Sequence, residues 1–529
     1  MVDVTRYNFD ELLPEVKAHI EASSFVALDT EFTGLHVEGS TGNSLFDSPD
    51  LRYEKLKQLT SQFTVCQIGL CAFVKEPKKN SYVGHAYNFY LFPRSCADID
   101  ARFLCQASSL EFLVQHNFDF NRLFYDGISY MNTTQEKSLK EQPVIEMARG
   151  VDEDMLKHCH TVIAEWLPST IEGDKLPLDV TLSDKFVSLQ LQTMLRDYFP
   201  VIWTNTSATG QVIVKRVSEE SRKELEKATE NRLLEYILGF THVFRILVES
   251  KKPLLGHNMV TDLLFVHEKF HNPLPDKFSD FKKAIHTLFP QVVDTKHLSF
   301  KLKKELIEKG LPVTSTGLDQ LYQNLCSDKG RFLVLHSPYI ELSQIQCKYK
   351  DSHPLHEAAY DAYLCGYVFL RLAHFQAAKK ISATVSSPLG FRAILDAVKP
   401  WMNKLNLIRA NVPYINLAGP DPPSRRPRLL HVSAIGMSTV SASKLAEEFS
   451  IYSSVDVQLV DKRNALLAVS TYGGCKDIMR AFKDHKTLRV KHYNVFQHSR
   501  PVRYTLWGAI AVLGAACLWT LFGDQGKVR

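Results

Sequence analysis

The stretch Phe25-Val-Ala-Leu-Asp29-Thr-Glu31-Phe32-Thr-Gly34-Leu35 decides how this chain is read. Phe25 to Leu28 is a short apolar run of the kind that makes a buried strand. Asp29 and Glu31 follow two apart, so an extended backbone turns both carboxylates to one face. Carboxylates that close repel unless a cation lies between them, and hard divalent ions such as Mg²⁺ take this kind of oxygen ligand. Gly34 permits a tight exit from the strand. Taken alone, the same residues also suit a strand end whose acids are simply solvated.

Two later stretches bear on that choice. Gly256-His-Asn258-Met-Val-Thr-Asp262-Leu-Leu sets an acid just inside an apolar helix. His356-Glu-Ala-Ala-Tyr360-Asp361-Ala-Tyr363 sets a histidine five residues before another acid, at a helix start. Alone, Asp262 is an acid favoured by a helix dipole, and His356 is a capping or core histidine. In order, Asp-x-Glu, Asn-x-x-x-Asp and His-x-x-x-x-Asp form the three-motif pattern of the DEDDh 3′→5′ exonucleases. Four carboxylates and one histidine are what two-metal phosphodiester hydrolysis needs. The acids hold two ions about 4 Å apart, and the histidine deprotonates the attacking water.

Asp-Thr-Glu-Phe-Thr-Gly, Phe118-Asp119-Phe120-Asn121, Gly-His-Asn-Met, Phe289-Pro-Gln-Val-Val-Asp294-Thr-Lys296 and His-Glu-Ala-Ala-Tyr-Asp-Ala-Tyr resemble the poly(A)-specific ribonuclease family over nearly the whole chain. The likeness is greatest to its membrane-tailed branch, which trims PIWI-interacting RNA (piRNA). The resemblance implies a mixed α/β (α+β), RNase H-like exonuclease fold. It implies that Asp29, Glu31, Asp262 and Asp361 bind two Mg²⁺, with Mn²⁺ able to substitute, and that His356 is the general base. It implies that Phe32, Leu35, Asn258 and Lys296 contact the terminal nucleotides of single-stranded RNA with a free 3′ end. Lys296 would reach a phosphate as a point charge. The implied partners are a PIWI protein and a membrane-bound Tudor-type adaptor that present the RNA, and a homodimer is compatible with the family.

At 529 residues the chain exceeds one ordinary domain. Hydrophobic content of 45% and charged content of 23% are those of a globular protein. A net charge of +5 is too mild to argue for nucleic-acid binding by itself, so any RNA groove is a local patch. The ten cysteines include no Cys-x-x-Cys pair, which excludes the usual zinc and disulfide frameworks. Met-Val-Asp-Val-Thr-Arg at the start has no apolar run, so no signal peptide is expected.

Residues 1–150 read as the first part of the exonuclease domain. Helices are expected over Phe9–Ile20, Tyr53–Thr60 and Leu104–Val114, with strands over Phe63–Val74 and Ala86–Phe92. Residues 151–245 read as an inserted small domain, with helices over Met155–Trp166 and Ser183–Tyr198, a β-rich piece over Val201–Val217 and a charged helix from Glu219. The family carries a small nucleic-acid-binding domain there, but its Arg-x-x-x-His signature is absent. Residues 246–410 complete the exonuclease, and 411–428 read as a Pro-rich linker. Residues 429–496 read β-α-β-β-α-β, similar to an RNA-recognition-motif domain. Leu459 stands where the family stacks a tryptophan on the mRNA cap, and the strand from Asn464 has no aromatic on which a base could stack, so cap binding is not expected.

Thr505 to Phe522 is uncharged and just long enough for a hydrocarbon core of roughly 30 Å. Trp507 and Trp519 lie near its ends, and Arg500, Arg503, Lys527 and Arg529 flank it. A single C-terminal anchor (505–522) on the cytosolic face of the mitochondrial outer membrane or the endoplasmic reticulum is expected. The favoured function is membrane-tethered 3′→5′ exoribonuclease trimming of small-RNA precursors. The alternatives are a poly(A) deadenylase acting on mRNA and a catalytically dead RNA-binding scaffold.

Overall fold

The apolar run at Phe25 is a strand, and a sheet grows from both of its edges. The computed structural model describes residues 2–39, 42–96, 98–141, 151–182, 184–207, 209–229, 232–343, 355–381, 387–436 and 439–522. The chain divides into two compact units. Residues 1–40, 53–406 and 416–420 form one, and residues 41–52, 407–415 and 421–529 form the other.

The strands of the first unit's two larger sheets are β1 (Val2–Val4), β2 (Phe25–Phe32), β3 (Val65–Lys75), β4 (Ser81–Tyr90), β5 (Lys175–Thr181), β6 (Ile202–Thr206), β7 (Gln211–Arg216), β8 (Leu254–Gly256), β9 (Val292–Asp294) and β10 (Tyr339–Leu342). One mixed sheet runs β1-β4-β3-β2-β8-β9, with β10 also on β4. β2, β3 and β4 are antiparallel neighbours, whereas β8 and β9 continue parallel to β2. The first nine residues of β3 are buried, so the sheet is covered on both faces at its centre.

One face is covered by the helix Ala358–Lys380. Every residue of it from Ala358 to Ala377 is buried except Asp361. A helix that is apolar all round belongs inside a core. It approaches unusually closely at Gly69 of β3, where a Cβ would lie 1.9 Å from the Ala358 carbonyl carbon. Its first N–H groups lack partners within the helix. Two strand side chains supply them: the Ala358 N–H donates to Gln67 Oε1 at 3.0 Å, and the Ala359 N–H to Asn88 Oδ1 at 3.2 Å.

Several element bounds differ from the sequence reading. The helix expected from Leu104 begins at Ala107, because residues 104–106 are extended against the end of β2. There Thr33 Oγ1 donates to the Leu104 carbonyl at 2.8 Å, and the Gln106 N–H to the Thr33 carbonyl at 2.8 Å. β4 begins at Ser81 rather than Ala86, and the helix read from Tyr53 runs Pro49–Gln62. β5 went unread because Pro177 lies inside it. It pairs only with β7, and an edge strand tolerates proline.

Residues 151–229 carry a small core of their own. Cys159 and Ile163 of the helix Glu153–Trp166, Leu191 and Leu195 of the helix Lys185–Tyr198, and Ile202, Val212 and Val214 of the sheet β5-β7-β6 pack together. The Ser183 start read for the second helix lies outside the described residues, and Asp184 caps that helix instead.

In the second unit a four-stranded antiparallel sheet runs Val455–Leu459, Asn464–Val469, Leu430–Ala434, Leu488–His492. The helices Ala442–Ser450 and Tyr472–Ala481 cover one face, with Phe449 and Ile478 in the core. Leu459 ends an edge strand and is 47% exposed. The last helix is Arg500–Phe522. Among the described residues it is the one helix long and apolar enough to cross a membrane, and none of Pro501–Leu518 is buried. Lys527 and Arg529, and the side chains of Arg500 and Trp519, lie outside the described residues.

Candidate active site

The three motifs arrive at one place from three elements. β2 carries Asp29 and Glu31 in register with Gly69 and Gln67 of β3. The helix Val260–Val266, which follows β8, carries Asp262 in its first turn. Asp361 occupies the first turn of the helix Ala358–Lys380. Ligand atoms of Glu31, His356 and Asp361 all lie within 4.8 Å of one another. Asp29 and Asp262 contribute no atom to that tight group. They belong to the same electrostatic cluster, since the charges acting most strongly on Asp29 are those of Asp361, Asp262 and Glu31.

Burial, then neighbouring acids, hold Asp29 and Glu31 well above the usual carboxylate range. Burial pushes Asp262 up to about 6, although the Thr30 hydroxyl donates to its Oδ1 and opposes the rise. Burial pushes Asp361 up to about 7, opposed by the His356 N–H, which donates to Asp361 Oδ2 at 3.2 Å. Four hard oxygen donors crowded this closely and this far from water are a fitting cradle for divalent cations, which would remove the mutual repulsion.

His356 has a left-handed backbone, φ +64°. Strain of this kind at a non-glycine residue persists only where the surroundings impose it. Its ring is held by two others from the end of the helix Ala107–Gln115. Phe112 lies edge-on with centroids 4.6 Å apart, and His116 lies at 4.2 Å. Burial and the neighbouring His116 lower its pKa.

The four residues expected to contact RNA lie at and just past the end of β2, before the helix Val260–Val266 and in the helix Thr295–Glu308. The ring of Phe32 stacks on Phe265 at 4.4 Å. Leu35 is 44% exposed, and its N–H donates to Gln106 Oε1 at 3.0 Å. Asn258, also left-handed at φ +64°, is pinned on two sides. Its N–H donates to Asp294 Oδ1 at 3.0 Å, and its side-chain oxygen accepts from Asn406 Nδ2 at 3.0 Å. Lys296 opens the helix Thr295–Glu308 and is half-buried, which lowers its pKa.

Sequence reasoning passed over the supports of this site. Thr30 was read only as a spacer between two acids. Gln67 and Asn88 are the polar residues inside otherwise buried strands, and that contrast was the available signal. Asp294 was read as part of a family motif. It is a buried hub whose carboxylate accepts from the N–H groups of Asn258, Lys296, His297 and Asn406. Phe112 and His116 had no pattern that could mark them.

A mixed sheet with a covering helix, and clustered carboxylates with a histidine at its strand ends, defines a ribonuclease of the RNase H-like class. The model of the CAF1 family of ribonucleases matches residues 4–369. The chain belongs to that family. It is 36% identical over 534 residues to the Mus musculus protein named poly(A)-specific ribonuclease PNLDC1, covering 97% of this chain and 99% of that one. It is 32% identical over 532 residues to the Bombyx mori pre-piRNA 3′-exonuclease trimmer, covering 98% of each. Homo sapiens poly(A)-specific ribonuclease PARN is 30% identical over 532 residues, covering 93% of this chain and 80% of that one.

Proposed function

We propose that this protein is a DEDDh-type 3′→5′ exoribonuclease that trims the 3′ ends of single-stranded piRNA precursors. The observation that carries the reading is the convergence of Glu31, His356 and Asp361 within 4.8 Å, in one electrostatic cluster with Asp29 and the buried Asp262. The Bombyx mori relative's name supports the substrate. Its near-complete coverage supports carrying that reading to the whole chain.

Asp29, Glu31, Asp262 and Asp361 would hold two Mg²⁺, with Mn²⁺ substituting. When bound, the ions supply an activated water and stabilise charge developing on the phosphoryl oxygens. His356, its pKa lowered, is neutral near pH 7 and takes the proton of the attacking water on a ring nitrogen. Thr30 holds Asp262 in place through the hydroxyl bond to Oδ1. Phe32 and the exposed Leu35 offer apolar surface to the last base and sugar. Asn258 and Lys296 would contact the terminal nucleotides, with Lys296 reaching a phosphate as a point charge. Residues 505–522 anchor the protein to the cytosolic face of the mitochondrial outer membrane or endoplasmic reticulum. Residues 151–245 act as an inserted small domain, and residues 429–496 as an RRM-like domain without cap recognition. A PIWI protein and a Tudor-type adaptor present the RNA.

Purified protein is expected to shorten single-stranded RNA from its 3′ end only with Mg²⁺ or Mn²⁺. Asp29→Ala or Glu31→Ala should lower the rate by orders of magnitude while circular dichroism stays unchanged. Wild-type rates from either variant would end the assignment. Cells lacking the protein should accumulate piRNA precursors with extended 3′ ends, read by sequencing. Unchanged piRNA ends would end the substrate reading while leaving the nuclease reading intact.

A further inference from the structure

A small pocket lies beside the end of β2. Thr64 is in its wall. The Thr33 N–H donates to the Thr64 carbonyl at 3.0 Å, and the Thr64 N–H to Thr33 Oγ1 at 3.1 Å. Lys269, also in the lining, holds its ammonium 5.9 Å from the centroid of the Phe265 ring, on which Phe32 stacks. The pocket therefore adjoins the candidate active site through two independent contacts.

Three of its lining side chains are cationic: Arg94, Arg102 and Lys269. The Lys269 ammonium is already engaged, donating to the Thr60 carbonyl at 2.9 Å. Arg94 is not satisfied. Its Nε and Nη2 are buried and have no hydrogen-bond partner among the described residues. The acids nearby have other partners. Glu268, also in the lining, accepts the Leu274 N–H at 2.6 Å, and Asp184 is bonded to Arg6 at 2.8 Å. Burial and the like charge of Arg6 lower the Arg94 pKa, against the weaker opposing pull of Tyr236 and Asp184. Arg94 nonetheless lines the pocket, and a guanidinium is the planar, multi-donor group that pairs with phosphate oxygens.

The volume limits what can enter. At about 110 Å³ the pocket is far below the roughly 300–1,000 Å³ of sites that enclose whole small molecules. Only a charged group of a larger ligand, or a small free anion, fits.

We propose that this pocket is a phosphate subsite, in which Arg94 and Arg102 hold a phosphodiester of the RNA upstream of the bond being cut. The choice of RNA as the source rests on the exoribonuclease reading; the anion chemistry does not. A subsite here would hold the RNA body while successive 3′ nucleotides are removed.

The test uses full-length protein in detergent carrying Glu31→Gln, so that RNA is bound and not consumed. Affinity for single-stranded RNA is measured across a salt series. Each phosphate contact contributes a slope of about −0.7 in the logarithmic plot for single strands. Arg94→Gln is expected to flatten the slope by about 0.7, and Arg94→Lys to restore most of it. In a second arm inorganic phosphate is titrated and followed by ³¹P line width. It should bind the parent protein, be displaced by RNA, and not bind the Arg94→Gln form. If phosphate binds in an Arg94-dependent way but RNA neither displaces it nor changes slope, the pocket takes a free anion and the RNA assignment is overturned. If phosphate does not bind and the slope is unchanged, the whole proposal is overturned. Should Arg94→Gln fail to fold, Arg102→Gln is read by the same slope. Failure of the exoribonuclease reading would appear separately, as absence of hydrolysis by the unmutated protein.

Discussion

Thr30 shows how much one hydroxyl does at this site. Asp29 and Glu31 on either side of it turn toward the acidic cluster, and Thr30 Oγ1 donates to Asp262 Oδ1. Groups that orient a metal ligand typically matter about 10–100-fold for affinity or rate. Thr30→Val should therefore raise the Mg²⁺ concentration for half-maximal rate by about that factor, and Thr30→Ser should not. Equal Mg²⁺ dependence in all three proteins would show that Asp262 needs no such support. The acids also predict a pH effect. Asp361 and Asp262 are held up near 7 and 6, above an ordinary aspartate value close to 3.9. An acid with a raised folded pKa binds more protons folded than unfolded, so its contribution to stability is lost as pH rises through that value. Metal-free protein should melt at lower temperature at pH 8 than at pH 5.5, and Mg²⁺ should raise the melting temperature more at pH 8. A metal-independent melting temperature at pH 8 would argue that these carboxylates hold no cation.

At the scale of elements, the site depends on how closely the helix Ala358–Lys380 sits on the sheet. Gly69 makes that possible, because any Cβ there would overlap the backbone at Ala358. Asp361 lies one turn further along the same helix, so lifting the helix lifts the carboxylate. Overpacking a tight core typically costs about 1–3 kcal/mol. Gly69→Ala should cost at least about that in denaturant unfolding and should lose most activity even where the protein remains folded. Gln67→Ala removes the partner of the Ala358 N–H and should cost about 1–3 kcal/mol, with a smaller effect on rate. A fully active, equally stable Gly69→Ala protein would mean that the helix is seated by other contacts.

At the scale of the whole molecule, the acidic and histidine cluster and the long apolar helix lie in different parts of the chain. All five residues of the acidic and histidine cluster lie in residues 1–406, and the apolar helix ends the described chain. Deleting Leu506–Arg529 should therefore release the protein from carbonate-washed membranes while leaving its rate on naked RNA unchanged. The truncated form should nevertheless fail to restore normal RNA 3′ ends in cells, because a shared membrane raises the local concentration of enzyme and partner. If the full-length protein also washes off in carbonate, residues 505–522 are not an anchor. If the truncated form restores normal ends, tethering is dispensable.

Local spacing made part of this protein legible from sequence. Two acids two apart on an apolar strand face one way because strand side chains alternate, and an acid in a helix's first turn marks that helix's start. The order of the three motifs then pointed to one chemistry, and the uncharged run at the C-terminus to a membrane anchor, where the structure has a helix long and apolar enough to cross a membrane. What the sequence could not carry were contacts between residues far apart in the chain. Thr30 meets Asp262 across 232 positions, and Gln67 meets Ala358 across 291. Pairings of that kind leave no periodic trace, since each depends on how β2, β3 and two later helices pack. For the same reason the start of the helix at Ala107, the ring clamp of Phe112 and His116 on His356, and the burial of Arg94 Nε and Nη2 without a partner among the described residues were decided only by tertiary structure.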